Sequence, residues 1–270
     1  MPESAVTIGV PTVNGARRLE RCLRSIAWST PAQRLGARVL VCDDGSTPEG
    51  LEATKQVAAR FGHEVLVNGS RLGVATSWNR LARHGITADG SSVIVLLNDD
   101  VEVVPDWLDV LVYSVTQNSG VGVVGLPAYH GLLDDVAHRA PPPPSYYEAH
   151  LRRGRGMLAS QGFCFAFTDE KYKLVGGFDE RYFAFYEEVD FGVQLVRQGY
   201  LSFMASAPVV YHQGGATTSQ PDFDSQAVLA ESRSYFHAKN GSVGDLRTEA
   251  DALRAPDLAQ WNTGLRDLTE

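Results

Sequence analysis

Three acidic clusters carry most of the chemistry available to this chain. Asn98-Asp99-Asp100 follows the apolar run Val93–Leu97, Asp43-Asp44 follows Arg38–Cys42, and Glu187-Glu188-Val189-Asp190 opens a stretch with helical periodicity. Two carboxylates and an amide in a row offer hard oxygen donors, which suit a divalent cation such as Mg²⁺ or Mn²⁺. Such an ion bridges a diphosphate and acts as a Lewis acid on a leaving phosphate. A carboxylate of the third cluster can take the proton from an attacking hydroxyl. His212 adds an imidazole within Tyr211-His212-Gln213-Gly214-Gly215. Flexible glycines beside it would let it close over a metal, and imidazole shifts the preference toward Mn²⁺.

Plainer readings stand beside each of these. Asp43-Asp44 with Ser46 and Thr47 suits an Asx turn that caps the next helix. Asn98 to Asp100 is also an ordinary acidic turn ahead of Pro105. Acids at a helix start complement the dipole by about 0.3–1 kcal/mol each. A lone histidine is more often a satisfied polar residue than a ligand. At helical spacing Glu188 and Asp190 point to opposite sides, so one reaches a cleft while another serves the helix end. A phosphatase-type Asp-x-Asp nucleophile fails at Asp43, because position 45 is Gly.

The elements that must position these groups alternate along the first 125 residues. Ala5–Val10, Arg38–Cys42, Glu64–Val67, Ser92–Leu97 and Gly120–Leu126 read as strands. Arg17–Trp28, Leu51–Phe61, Val74–Arg83 and a segment from Pro105 to Thr116 show apolar residues at helical spacing. This order predicts an α/β fold, a mostly parallel Rossmann-like sheet with helices on both faces. Ligands then bind at the carboxyl ends of the strands, which is where Thr12 to Asn14, Asp43 to Ser46 and Asn98 to Asp100 fall.

Farther along, the pattern changes. His130 to Arg155 contains Pro141–Pro144 and the pair Tyr146-Tyr147, and reads as a long loop or flap. Gln161–Thr168 is strand-like, Asp169–Val175 and Glu187–Gln198 are helical, and the tail from Ser225 is mostly helical. The expected division is residues 1–220 as one domain and 221–270 as a helical extension. Within the domain, 1–127 and 156–220 form two halves, joined by a flexible loop over 128–155.

Composition narrows the function. With 24 Lys+Arg against 32 Asp+Glu in 270 residues, the net charge of −8 argues against a general nucleic-acid binder. The longest strongly apolar stretch falls far short of the ~20 residues a spanning helix needs, and the N-terminus lacks the pattern of a secretory signal. Cys22, Cys42 and Cys164 are odd in number and widely spaced, so neither a disulfide framework nor a zinc knuckle fits. A cytoplasmic location, peripheral to a membrane or free of it, is the expectation. The chain lacks a Gly-x-x-x-x-Gly-Lys-Ser/Thr loop, and no Gly-x-Gly-x-x-Gly follows the first strand. This argues against a P-loop kinase or a hydride-transferring Rossmann enzyme. If a nucleotide binds, metal and side chains must hold its phosphates.

Four ordered blocks together resemble glycosyltransferase family 2, the inverting enzymes with a GT-A fold. They are Val10-Pro11-Thr12-Val13-Asn14, Val41-Cys42-Asp43-Asp44-Gly45-Ser46, Leu96-Leu97-Asn98-Asp99-Asp100-Val101-Glu102, and Gly176-Gly177-Phe178-Asp179-Glu180 running into Glu187-Glu188-Val189-Asp190-Phe191. The resemblance spans roughly residues 5 to 220. It implies that Pro11, Thr12, Asn14, Asp43 and Asp44 hold the nucleotide, with Arg71, Asn98 and Asp99 beside the donor. It implies that Asp100, with His212 as a second ligand, binds Mn²⁺ or Mg²⁺ on the diphosphate. Glu188 falls at the catalytic base, and Gly177, Phe178, Asp179 and Glu187 at the acceptor side. Asn98 replaces the first acid of the family's Asp-x-Asp, as in its rhamnosyltransferase-like branch, and Glu replaces the usual Asp at 188.

The implied partners are a UDP-, dTDP- or GDP-sugar donor and a hydroxyl-bearing acceptor: a glycan, a lipid-linked glycan, a small molecule or a protein. Arg71 is read equally well as a diphosphate contact or a surface residue. Tyr146, Tyr147 and Phe163 are candidates for stacking on sugar rings, against the commoner core role of aromatics. The flap and the tail are expected to set acceptor choice or self-association as a homodimer. A nucleotide-sugar-binding protein without turnover, and a nucleotidyltransferase, are the alternative readings.

Overall fold

A computed structural model describes residues 5–29, 35–117, 119–132, 161–205, 208–215 and 223–241. Seven strands form one sheet in the order β3-β2-β1-β4-β8-β6-β9. The first half follows the sequence pattern closely. Strands β1 (Val6–Thr12), β2 (Arg38–Asp44), β3 (Glu64–Asn68) and β4 (Val93–Leu97) are parallel neighbours. They alternate with helices α1 (Ala16–Trp28), α2 (Pro48–Arg60) and α3 (Val74–Ala88).

The strands read as unbroken apolar runs because both of their faces are buried. Val39 and Val41 of β2, with Val93, Val95 and Leu97 of β4, pack on the α1 side. Leu40 and Cys42, with Ile94 and Leu96, pack on the opposite side around Trp78 and Leu81 of α3. Two apolar cores therefore sandwich one sheet, and all three cysteines are free and buried.

The second half departs from a simple alternation. After β4 come β5 (Val101–Glu102), α4 (Trp107–Gln117), β6 (Val121–Gly125) and β7 (Ala128–His130). Next are β8 (Cys164–Thr168), α5 (Asp169–Val175), α6 (Glu187–Arg197), β9 (Leu201–Met204), β10 (Val210–His212) and α7 (Ser225–Asn240). Strand β8 runs antiparallel to both β4 and β6, pairing Leu97 with Cys164 and Val93 with Thr168. The sheet is thus mixed at this point rather than parallel throughout.

A second, three-stranded sheet in the order β5-β10-β7 was not expected. It corrects the flap, because Ala128–His130 is a strand and not the start of a loop. The turn expected at Asn98 to Asp100 is present over residues 99–100, and the chain then continues directly into the short strand Val101–Glu102. Pro141–Pro144, Tyr146 and Tyr147 lie outside the described residues, as does the tail beyond residue 241. Among the described residues no helix is long and apolar enough to cross a membrane.

Candidate functional site

The antiparallel entry of β8 and the small sheet build the site together. Asn98 N donates to Phe163 O (2.9 Å), so the chain leaving β4 is tied to the chain entering β8. Strand β10 pairs antiparallel with β5, setting His212 opposite Val101, and Gln213 N donates to Asp100 O (3.0 Å). This pairing carries His212 across more than a hundred residues of sequence to Asp100, with Nε2 3.2 Å from Oδ1. Phe163 backs the imidazole at a ring-centroid distance of 4.5 Å. His212 Nδ1 is buried and finds no hydrogen-bond partner among the described residues.

Asp100 and His212 together offer a carboxylate oxygen and an imidazole nitrogen, donor types that a divalent cation accepts. Among the described residues no third His, Cys, Asp or Glu joins them.

Asp99 faces a different task. Its carboxylate accepts from Thr12 Oγ1 (2.6 Å) and from Arg18 Nη2 (3.2 Å) and Nε (3.3 Å). Burial pushes it up to about 6, against the opposing pull of Arg18 and Thr12. It ties β1 and α1 to the end of β4 and forms the floor of the cleft.

The Asp43-Asp44 pair splits in the same way. Asp43 accepts from Ser46 N (3.0 Å) and Ser46 Oγ (2.6 Å), which is the Asx turn the local sequence allows. Asp44 accepts from Leu72 N and Gly73 N (2.9 Å each) and from Asn68 Nδ2 (2.8 Å). It thereby holds the 70–73 segment against the strand ends. Gly45 is required between them: its φ is +75°, and a Cβ there would lie 2.3 Å from Arg71 N.

The third acidic cluster is reached through strained backbone. Phe185 and Tyr186, immediately before α6, have φ of +68° and +71°. Left-handed backbone at bulky residues costs about 1–3 kcal/mol each and persists only where surroundings enforce it. Glu187 is 5% exposed, and Oε2 of both Glu187 and Glu188 is buried without a hydrogen-bond partner among the described residues. Burial, then the neighbouring Glu188 charge, pushes Glu187 well above the usual carboxylate range. Burial also raises Glu188, against hydrogen bonds from its own and the following backbone amide. The Glu188 side chain lies over Gly162, where a Cβ would stand 3.1 Å from its carboxyl carbon. Asp190 turns the other way, into a buried network with Asn240 and Lys239.

One cavity of about 350 Å³ gathers most of the expected residues. Pro11, Thr12, Asp44, Arg71, Asn98, Asp99, Asp100, His212, Glu187 and Glu188 all line it. Phe163 lines it as well, while Tyr146 and Tyr147 fall outside the described residues.

Five expected residues stand apart from this lining. Asn14 is spent on turns, its N donating to Ser46 Oγ (2.8 Å) and its Oδ1 accepting from Thr47 N (2.9 Å). Asp43 is the Asx acceptor already described. Phe178 is packed between Trp78, Phe165, Phe167 and Phe191. Gly177 sits so close to Asn79 that a Cβ would be 2.7 Å from its Oδ1. Asp179 accepts from Lys239 Nζ and Tyr235 Oη, both at 2.8 Å. Residues 177–179 therefore do not line the cavity. Phe183, Phe185 and Phe223 line the cleft instead, with the Arg71 guanidinium 5.7 Å and 4.9 Å from the Phe183 and Phe223 rings. These aromatics gave no signal, since nothing in their spacing separates them from core residues.

The sequence model described as "Glycosyl transferase family 2" matches residues 7–175. The N-acetylglucosaminyl-diphospho-decaprenol L-rhamnosyltransferase of Mycobacterium tuberculosis is 29% identical over 244 residues, covering 78% of this chain and 76% of that protein. An O-antigen biosynthesis protein of Myxococcus xanthus is 30% identical over 142 residues, 46% of this chain and 11% of its own length. Among solved structures, the chain resembles a mannosyltransferase from Pyrobaculum calidifontis in complex with GDP-Man and Mn²⁺. The TM-score is 0.61 at 18% identity, over 99% of this chain and 81% of that one. It also resembles the glucosyl-3-phosphoglycerate synthase of Mycobacterium tuberculosis with UDP and Mn²⁺, at a TM-score of 0.57 and 16% identity, over 88% of this chain and 80% of that one.

Proposed function

We propose that this chain, which belongs to glycosyl transferase family 2, is an inverting glycosyltransferase with Glu188 as its general base. The observation that carries this reading is one cavity lined both by Asp100 and His212, which meet at 3.2 Å, and by Glu187 and Glu188, whose Oε2 atoms are buried without a hydrogen-bond partner among the described residues. Such a lining suits a donor whose charged diphosphate lies at Asp100 and His212 and whose sugar faces the two glutamates.

Glu188 takes the proton from an acceptor hydroxyl. The hydroxyl oxygen then bonds to the anomeric carbon as that carbon's bond to the diphosphate oxygen breaks, and the electron pair leaves on the nucleoside diphosphate. A raised carboxyl accepts a proton more readily than an ordinary one, which suits a base of this kind. Asp100 and His212 are the residues that would hold Mn²⁺ or Mg²⁺, which when bound supplies positive charge to the departing diphosphate. Asp99 holds the strand ends in register through Thr12 and Arg18, and Asp44 holds Arg71 at the mouth, where its guanidinium meets the diphosphate.

The name of the 29%-identical relative favours L-rhamnose as the transferred sugar and a diphosphate-linked sugar on a polyprenol as the acceptor. A lipid-borne acceptor would place the chain at a membrane surface during turnover.

The test is a thermal-shift panel of UDP-, dTDP- and GDP-sugars with Mn²⁺, followed by transfer and donor-hydrolysis assays on the stabilising donor. Binding raises stability in proportion to affinity, so one nucleotide sugar is expected to raise Tm and to be turned over with inversion. Stabilisation with neither transfer nor hydrolysis would leave the chain a binding protein. Attack at phosphorus would make it a nucleotidyltransferase.

A further inference from the structure

The segment that presents Glu187 and Glu188 is held at both ends by a helix outside the matched family region. That region ends at residue 175, whereas α7 covers Ser225–Asn240. Asp179 stands before the strained turn and Asp190 after it. Lys239 Nζ donates to Asp179 Oδ2 and to Asp190 Oδ2, both at 2.8 Å, so one ammonium joins the two ends. Asn240 Nδ2 donates to Asp190 Oδ1 (2.7 Å), and Asn240 Oδ1 accepts from Arg197 Nη1 (2.9 Å) at the far end of α6. Between the two aspartates, Ser232 Oγ donates to Ala184 O (2.7 Å). The Tyr182 and Tyr186 rings lie 5.0 Å and 5.1 Å from those of Tyr235 and Phe236.

We propose that α7 is a staple for the catalytic turn, with Lys239 and Asn240 as positioning residues that act on Glu188 through Asp179 and Asp190. This rests on the assignment of Glu188 as the base. The physical reason is the backbone: Phe185 and Tyr186 both hold left-handed conformations, which persist only where surrounding contacts enforce them. Two aspartates on one ammonium fix the distance between the ends of residues 179–190. The Ser232 bond fixes the middle. Removing that restraint lets the turn relax and moves the Glu188 carboxylate off the acceptor hydroxyl, at a cost to turnover and not to donor binding.

The experiment compares the full chain with Lys239→Met, Asn240→Ala and Lys239→Arg. Hydrogen–deuterium exchange reads the turn without reference to activity, and kcat and donor Kd are measured with the nucleotide sugar that the wild type turns over. Lys239→Met is expected to speed exchange of the 181–189 amides by about tenfold and to lower kcat about tenfold. Donor Kd with Mn²⁺ should stay within twofold, and Lys239→Arg should restore most of both readouts. Asn240→Ala is read the same way if Lys239→Met does not fold. Unchanged exchange over 181–189, or faster exchange spread evenly over β1 to β4, would overturn the staple. A wild type without turnover would instead sink the assignment of Glu188, and the exchange result would still stand or fall on its own.

Discussion

The strand-end acids of the cleft and its glutamates on α6 are treated in opposite ways. At the strand ends, Asp44 and Asp99 are saturated: each carboxylate accepts at least two hydrogen bonds, and Arg18 adds a charge partner to Asp99. On α6, Glu187 and Glu188 each keep one buried oxygen without a partner among the described residues, at the end of a backbone segment with two left-handed aromatics. A saturated carboxylate shapes a pocket, because its lone pairs are committed. An unsatisfied buried carboxylate is costly to keep and is free to take a proton. Under the proposed function, the contrast would divide the site into a scaffold that positions the donor and a reactive edge that carries the base.

The largest expected effect tests the reactive edge. Glu188→Gln keeps the shape and removes the base. Turnover should fall by about 10²–10⁴-fold, the usual worth of a positioned general base, while donor Kd by calorimetry stays within twofold. Near-normal turnover would reject the division, since the unmet oxygen would then have no chemical role.

Asp44→Ala tests the scaffold and should show the reverse profile. It leaves the Leu72 and Gly73 amides and the Asn68 amide group without their acceptor. Hydrogen bonds to a charged group and the desolvation of orphaned donors together set a loss of about 2–3 kcal/mol, or roughly 4–10 °C in Tm. Donor binding should weaken with it, because the segment carrying Arg71 is released. An unchanged melting curve would show that Asp44 is held for the ligand and not for the loop.

How far the sequence reaches follows the same line. Strands β1 to β4 announce themselves because burial on both faces makes continuous apolar runs, and the parallel order follows from the helices between them. The direction of β8 is silent, because Cys164–Thr168 is apolar whichever way it runs. Strands of two or three residues, such as β5, β7 and β10, show no periodicity, yet they are what bring His212 to Asp100. Residue type marked Asp43 and Asp44 equally. Only the fold shows that Asp43 is consumed by its own turn while Asp44 reaches the cleft. Phe178 sits in a motif that suggests a ligand wall, and its aromatic neighbours, Trp78, Phe165, Phe167, Tyr172 and Phe191, make it core.

The smallest effect sharpens the comparison through pH. Glu187 is raised in the folded chain by burial and by the Glu188 charge, so between the ordinary carboxyl value near 4.3 and the raised one, the native state binds more protons than the unfolded state. Stability must then fall as pH climbs through that window, and the penalty is complete above the raised value. Glu187→Gln removes the ionisable group and keeps its shape. The variant and the wild type should melt together near pH 3, well below the ordinary carboxyl value of about 4.3, where the glutamic acid is almost wholly neutral in both states. By pH 8 the variant should be the more stable by about 1 kcal/mol, the lower end of the range for a buried unmet polar group. A variant that loses ground on the wild type as pH rises would mean that Glu187 has a partner holding its charge. The unsatisfied edge would then shrink to Glu188 alone.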